Sequence, residues 1–351
     1  MIDEFTSQYV LSQLTEDSQV TAKQLHLISQ GRRTASVLFN IEKNRLYSLY
    51  SLFHHWTDAD WDALVSHFLQ KKWVTLKGET LQLTENGLAS KKAFLETCPP
   101  LVTIDSLEYT KTRKPLWDRF IFVNQIVSEY KHQNVQYTPY LNTLVEQQET
   151  KRWLKDHGPS LESFSNKWIP EVFQFMSSLS EEQANIVASL QVGHQQTGRT
   201  RRQLRETLHF SDNQLTILLH HTIEKLIHYS KNHTSLLRDL VHTVHKENDY
   251  GLSTSTYQTQ KMLEDGKTIR QISQMRKLKE NTIKEHVLEM VLVNHWKGYK
   301  SLIPSSDYDI LHNLLKRHPS LLYSEAKSEH SQLDFFWFRL IEIERMRRHD
   351  S

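Results

Sequence analysis

The sequence contains one cysteine, Cys98, in 351 residues. A single thiol excludes an intramolecular disulfide and any cysteine-rich zinc site, and it fits a reducing compartment. Glycine and proline are also scarce, at nine and eight residues. Their scarcity argues against glycine-dependent nucleotide folds and long disordered linkers, and favours helices. No stretch approaches the roughly 20 apolar residues that a membrane span needs. The opening MIDEFTSQYV lacks the basic region and apolar run of a signal peptide, so the expected location is the cytoplasm. Charge of one sign is missing too: 43 Lys and Arg stand against 41 Asp and Glu. Any case for nucleic-acid binding therefore has to come from local clusters rather than the total.

The motifs of common enzyme classes are absent as well. There is no His-Glu-x-x-His, no Cys-x-x-Cys pair, no Gly-x-Ser-x-Gly elbow and no Gly-x-Gly-x-x-Gly fingerprint. His242 and His245 sit three apart on a helix pattern, but no carboxylate constellation accompanies them. No catalytic residue, metal or cofactor is expected. What is present is 38% hydrophobic and 24% charged residues with eight Trp, thirteen Tyr and fourteen Phe. That describes a globular chain of about two or three domains.

Gly266-Lys267-Thr268 has the closing letters of a phosphate-binding P-loop. Five positions upstream, where that loop needs its first glycine, stands Lys261. The segment before it, TYQTQKMLEDG, has helical rather than strand spacing. A helix–turn–helix accounts for the same letters. Gly266 ends helix 256–265 as a left-handed residue, and Thr268 caps the next helix with Gln271 completing a capping box. Ile283, Val287, Met290 and Val291 then mark the apolar stripe of a third helix that starts near Glu280.

The frame occurs twice. GRTRRQLRETLHFSDNQL (198–215) aligns without a gap on GKTIRQISQMRKLKENTI (266–283), at a constant offset of 68 residues. Gly198, Thr200, Gln203, Asn213 and Leu215 fall on Gly266, Thr268, Gln271, Asn281 and Ile283. SEEQANIVASL supplies the first helix of the earlier copy, opened by Ser180. Between residues 250 and 300 nine Lys or Arg stand against five acids, and Arg199, Arg201, Arg202 and Arg205 crowd one helix start in the earlier copy. Cations at helix N-termini suit phosphate. The candidate DNA-binding set is therefore Lys267, Arg270, Lys279, Asn281, Thr282 and Lys284, with Arg199, Arg201, Arg202 and Asn213 in the earlier copy. Asn281, Thr282, Lys284 and Glu285 would present the third helix to base edges. Glu285 and Glu289 on that helix weaken the case for sequence-specific reading. Solvated surface charge is the bland alternative for both copies.

The first hundred residues are laid out differently. Thr57 caps a helix with Asp60 at its third position, WVTL and TLQL read as short strands around Lys77-Gly78, and Thr84 opens another helix. Helix, strand, strand, helix is the back half of a winged helix. Asp58, Asp60 and Asp62 at its reading helix would repel phosphate, so this unit suits a protein partner better than DNA. Upstream, Arg32 and Arg33 in GRRTASVLF could meet DNA or simply end a solvated helix. Residues 99–178 read as a connecting helical bundle with core aromatics. The tail SQLDFFWFRLIEIERMRRHD (331–350) reads as a closing helix with a basic end, expected to dock through Phe335, Phe336, Phe338, Leu340 and Ile341, with part of this aromatic cluster as an alternative partner-facing patch.

TYQTQKMLEDGKTIRQISQMRKLKENTIKEHVLEMV resembles the helicase-associated helix–turn–helix at the C-terminus of some RecQ helicases. Thr282-Ile283 and His286-Val287 fit its third helix, and FFWFRL (335–340) resembles its closing segment. Lys279 stands where that family usually has Ser, and Ser273 where it has Ala. The resemblance covers residues 256–345, and the whole layout is similar to YpbB-type bacterial proteins. It implies an accessory or adaptor for a RecQ-like helicase in DNA repair or replication. The expected fold is mainly α: a winged-helix-like unit (1–98), a central helical bundle (99–178), a first helix–turn–helix unit (179–250) and a helicase-type helix–turn–helix domain (251–351). The leading expectation is a non-enzymatic DNA-binding accessory protein; a sequence-specific transcriptional regulator and a protein–protein adaptor without DNA contact are the alternatives.

Overall fold

The computed structural model describes residues 2–98, 106–233, 235–318 and 321–348. The expected boundary after Cys98 adjoins a segment outside the described residues, and the last three residues of the tail, 349–351, also lie outside them. The fold is mainly helical with one small sheet.

The N-terminal unit runs α1 (Glu4–Ser12), β1 (Val20–Thr21), α2 (Ala22–Ser29), α3 (Ala35–Asn44), α4 (Asp58–Gln70), β2 (Val74–Lys77), β3 (Thr80–Leu83) and α5 (Glu85–Thr97). β2 and β3 form an antiparallel hairpin with Leu76 opposite Leu81, and β1 pairs with the other edge of β3. The order β1-β3-β2 with α2 against α4 is the winged-helix arrangement. The expected start signals operate: Thr57 and Asp60 make a capping box, and the Thr84 hydroxyl accepts from the Gly87 amide at 3.1 Å. Thr84 also donates to the Trp73 carbonyl at 3.1 Å, tying α5 to the wing.

The bundle comprises α6 (Arg113–Lys131), α7 (Leu144–Asp156) and α8 (Leu161–Ser177). The first trihelical unit follows as α9 (Glu181–Leu190), α10 (Arg201–Leu208) and α11 (Asp212–Asn232), and α12 (Leu236–Glu247) succeeds it. The C-terminal part contains α13 (Thr254–Glu264), α14 (Ile269–Arg276), α15 (Glu280–Asn294), α16 (Ser305–Arg317), α17 (Tyr323–Glu329) and α18 (Phe335–Arg348).

Burial groups these helices in a way that chain order does not. One core joins Phe53, Trp61 and Phe68 of the winged helix to Val287, Val291, Phe338 and Ile341 of the C-terminal part. A second gathers Phe120, Trp153, Trp168 and Phe175 with Ile223 and Leu226 of α11 and Leu240 of α12. A small third core, Ile186, Leu204, Leu215 and Leu218, holds α9, α10 and α11 together.

The link between the chain ends is α3, a helix inserted into the winged helix. It packs against α15 and α18. Glu42 on α3 receives the Arg347 guanidinium through both carboxylate oxygens, and Arg347 also donates to the Val291 carbonyl at 2.8 Å. Arg33, just before α3, donates to Glu289 of α15 at 2.8 Å. Ion pairs this well enclosed fix geometry, because removing one partner strands the other away from water.

Candidate nucleic-acid interface

The C-terminal trihelical unit is built by its turns. Ser253 caps α13 by accepting from the Thr256 amide. At the far end Gly266 takes φ +79°, and its amide and that of Lys267 bond back to Leu263 and Met262. That left-handed glycine closes the helix as expected, because a side chain there would strain the backbone. Thr268 then accepts from the Gln271 amide at 3.2 Å while the Gln271 side chain accepts from the Thr268 amide at 2.9 Å. Lys277 (φ +53°) ends α14, and Ile272, Ile283 and Val287 are fully buried between the three helices. Arg276 braces the unit rather than facing solvent: it donates to the Ser255 carbonyl at 2.7 Å and the Ser255 hydroxyl at 2.8 Å on α13.

The earlier unit repeats each device 68 positions upstream. Gly198 takes φ +71°, Thr200 and Gln203 form a second capping box, and His209 (φ +55°) ends α10. Leu204 and Leu215 occupy the places of Ile272 and Ile283, and both are buried. One element differs. Ser211 caps α11 by accepting from the Gln214 amide at 2.9 Å, whereas Lys279, its counterpart, makes no side-chain cap.

The candidate residues fall into two classes. In the earlier unit each is engaged internally. Arg199 donates to Thr207 at 2.7 Å, Arg202 to Glu206 at 2.9 Å, and Arg201 to Thr216 at 2.6 Å with Asp212 3.6 Å away. Asn213 accepts from the Trp56 indole at 3.2 Å, so it seals the joint with the winged helix. In the later unit Arg270, Lys279 and Asn281 are exposed, as is Lys277, and none has a side-chain hydrogen bond or ion pair among the described residues. Lys267 meets only Asp265, at 3.4 Å. Thr282 is half-buried.

Lys284 is held elsewhere. It donates to Asp334 at 2.6 Å and lies over the rings of Phe336 and Trp337 at 5.5 and 5.9 Å. The contact binds the reading side of α15 to the start of α18. The Asp334 carboxyl lies below its usual range: burial would raise its pKa, but Lys284 and the Phe336 amide outweigh that. A cleft of about 960 Å³ opens beside this contact, between α3, α15 and the α17–α18 segment. Asn281, Lys284 and Glu285 line one side of it, and Phe335, 44% exposed, the other. Sequence reasoning missed the cleft, since its walls come from segments about 250 residues apart.

Three further expectations need correction. Glu289 does not stand on the outward face of α15; it is buried and accepts from Arg33, from the Ser253 amide at 2.7 Å and from Thr256 at 2.8 Å. Burial would raise its pKa, yet Arg33 and these donors hold it below the ordinary value. Arg33 is accordingly structural, while Arg32 is exposed. Phe335 is not docked with Phe336, Phe338, Leu340 and Ile341, which are buried. In the winged helix Asp58 and Asp62 are exposed at α4, with His26 3.0 Å from Asp58. His245 is buried beside Thr112 and Glu108, and His242 is exposed. No group of three metal-ligating side chains occurs among the described residues, and no described helix is long and apolar enough to cross a membrane.

The family model of a helix-turn-helix domain matches residues 255–342. Protein YpbB of Bacillus subtilis (strain 168) is 26% identical over 217 residues, 62% of this chain and 61% of YpbB. The match thus spans less than two-thirds of that relative's length. No solved structure matches. Residues 255–342 are therefore a helix-turn-helix domain, carried by a chain that is a distant homologue of YpbB.

Proposed function

We propose that this chain is a non-enzymatic DNA-binding accessory protein that works in the cytoplasm beside a RecQ-like helicase, in repair or replication. The observation that carries the reading is the set of unneutralised cations on the helix-turn-helix. Arg270 on the first turn of α14 and Lys277 and Lys279 at its far end face solvent without an anionic partner among the described residues. An eight-residue helix is about 12 Å long, so the two groups can meet separate phosphates of one backbone. Phosphate contacts position a protein without reading sequence, and α15 offers few side chains for reading because Lys284 is tied to α18.

The helicase partner rests on the resemblance of residues 256–345 to the helicase-associated domain. The winged helix supplies a surface for it: Asp58 and Asp62 repel DNA and suit a basic protein patch. Exposed Asn281 at the start of α15 favours the second reading, a transcriptional regulator, since Asn pairs well with adenine.

Fluorescence anisotropy with several unrelated duplexes at two salt concentrations separates these readings. The accessory reading expects similar, salt-weakened affinity for all of them. Tight binding to a single sequence would favour the regulator, and no binding at low salt would leave the protein adaptor. A pull-down with a purified RecQ-type helicase tests the partner; no retention at low salt would remove it.

A further inference from the structure

We infer that the cleft between α15 and α18 holds an unpaired base of a single DNA strand, so that the preferred ligand is duplex with a single-stranded flank. The inference rests on the proposed DNA contact of the helix-turn-helix and names the kind of DNA it takes.

The cleft has the makings of a stacking site. Phe335 is 44% exposed on its wall, backed edge-on by Tyr323 at 5.1 Å and with the Arg339 guanidinium 5.0 Å from its ring. Arg339 itself lies over Phe39, its guanidinium carbon 3.6 Å from the ring centre, which fixes the platform from behind. Bases stack on such rings whatever their identity, because every base has a π face. A volume of about 960 Å³ is at the upper end of the range of roughly 300–1,000 Å³ seen for ligand pockets.

The charges fit a phosphate strand once internal pairs are removed. Lys284 is matched by Asp334 and Arg339 by Glu342, at 2.6 and 2.9 Å. What remains around the cleft is Lys43 and Lys327 against Glu285, with no carboxylate within 4.0 Å of either lysine among the described residues. Asn281 joins the cleft to the open cations of the α14–α15 turn, so a strand leaving the duplex at Lys277 and Lys279 meets the cleft next. The Lys284–Asp334 bridge keeps α18 beside α15, while a single flat base needs only the gap between them.

The test is anisotropy with three labelled DNAs: a blunt duplex, the same duplex with a thymidine flap, and a thymidine 12-mer. The full chain should favour the flapped duplex over the blunt one by roughly five- to a hundredfold, the range for losing one stacked base. Phe335→Ala should abolish that preference and leave the blunt duplex within about twofold, whereas Phe335→Trp should keep it. Lys327→Glu, a change at the rim, should weaken the flapped duplex and the 12-mer together without touching the core. Equal affinity for blunt and flapped duplexes, or a flap preference that survives Phe335→Ala, would overturn the inference. The two readings fail separately: 12-mer binding that depends on Phe335 without any duplex binding would sink the phosphate contact at α14 and leave the cleft intact.

Discussion

The two trihelical units share a frame to the residue and put it to different uses. Thr200 and Thr268 cap, Gln203 and Gln271 close the box, Gly198 and Gly266 turn, and Leu204 and Ile272 fill the centre. Around that frame the charge differs. Glu206 pairs with Arg202 and Asp212 with Arg201 and Arg205 in the earlier unit, whereas in the later unit Gln274 stands at the position of Glu206, and Glu280, at the position of Asp212, leaves Arg270, Lys277 and Lys279 unpaired among the described residues. The third helices diverge more. α11 runs for 21 residues and is buried into the bundle along Thr222, Ile223, Leu226 and Ile227. It also carries Glu224, fully buried against Arg113 and 3.2 Å from His220. Leu292, the counterpart of Glu224, is an ordinary core leucine on α15. On the proposed function, a single frame serves as scaffold where its surface is engaged by internal contacts and as a binding module where it is not.

The largest effect should come from the scaffold's buried charge. Glu224→Ala leaves Arg113 without its carboxylate at a nearly closed site, a loss of about 3–5 kcal/mol; urea unfolding measures it. Leu292→Ala in the later unit should cost about 2–5 kcal/mol through its cavity. A Glu224→Ala variant as stable as wild type would remove the contrast between the two copies.

Acid should probe the same group. Burial alone would raise the Glu224 pKa, but the nearby His220 and the Arg113 guanidinium hold it at about 2, below its ordinary 4.5. A carboxylate whose folded pKa is depressed stabilises the fold above its unfolded value and loses that contribution as pH falls. Stability should therefore decline between about pH 4.5 and 2, and Glu224→Gln should flatten this part of the urea–pH profile. His220 and His286 act at milder acidity. Burial, aided by Arg113 and Arg276 respectively, lowers both. Each is favoured neutral when folded, so a first loss should begin below pH 6.5.

The smallest effect is the most discriminating. Lys279→Ser installs the cap that Ser211 already provides in the earlier unit and should add about 0.5–1 kcal/mol. The same change removes an open cation, so the melting temperature should rise while DNA affinity falls. Parallel movement of both would mean that Lys279 plays no part in binding.

Local physics made the frame legible in sequence. Caps, left-handed glycines and apolar stripes depend on neighbours within a few residues, and the wing hairpin around Gly78 is equally local. The errors lie where distant segments meet. Periodicity alone places Glu289 outward, and it is buried because Arg33, 256 residues away, comes to it. Lys284 looks like a free cation until Asp334, 50 residues downstream, is set beside it. No pattern within 31–39 announced that α3 would wedge against α15 and α18, since its partners lie some 250 residues downstream.

The central claim is that the later unit touches DNA and the earlier one does not. Its most direct test is the salt dependence of duplex binding for Arg270→Ala/Lys279→Ala beside Arg201→Ala/Arg202→Ala. Each lost phosphate contact lowers the steepness of the log–log plot by about 0.9. The first pair should therefore flatten the plot by roughly two and the second should leave the slope of the wild type. Flattening by the second pair, with the first unchanged, would contradict the account.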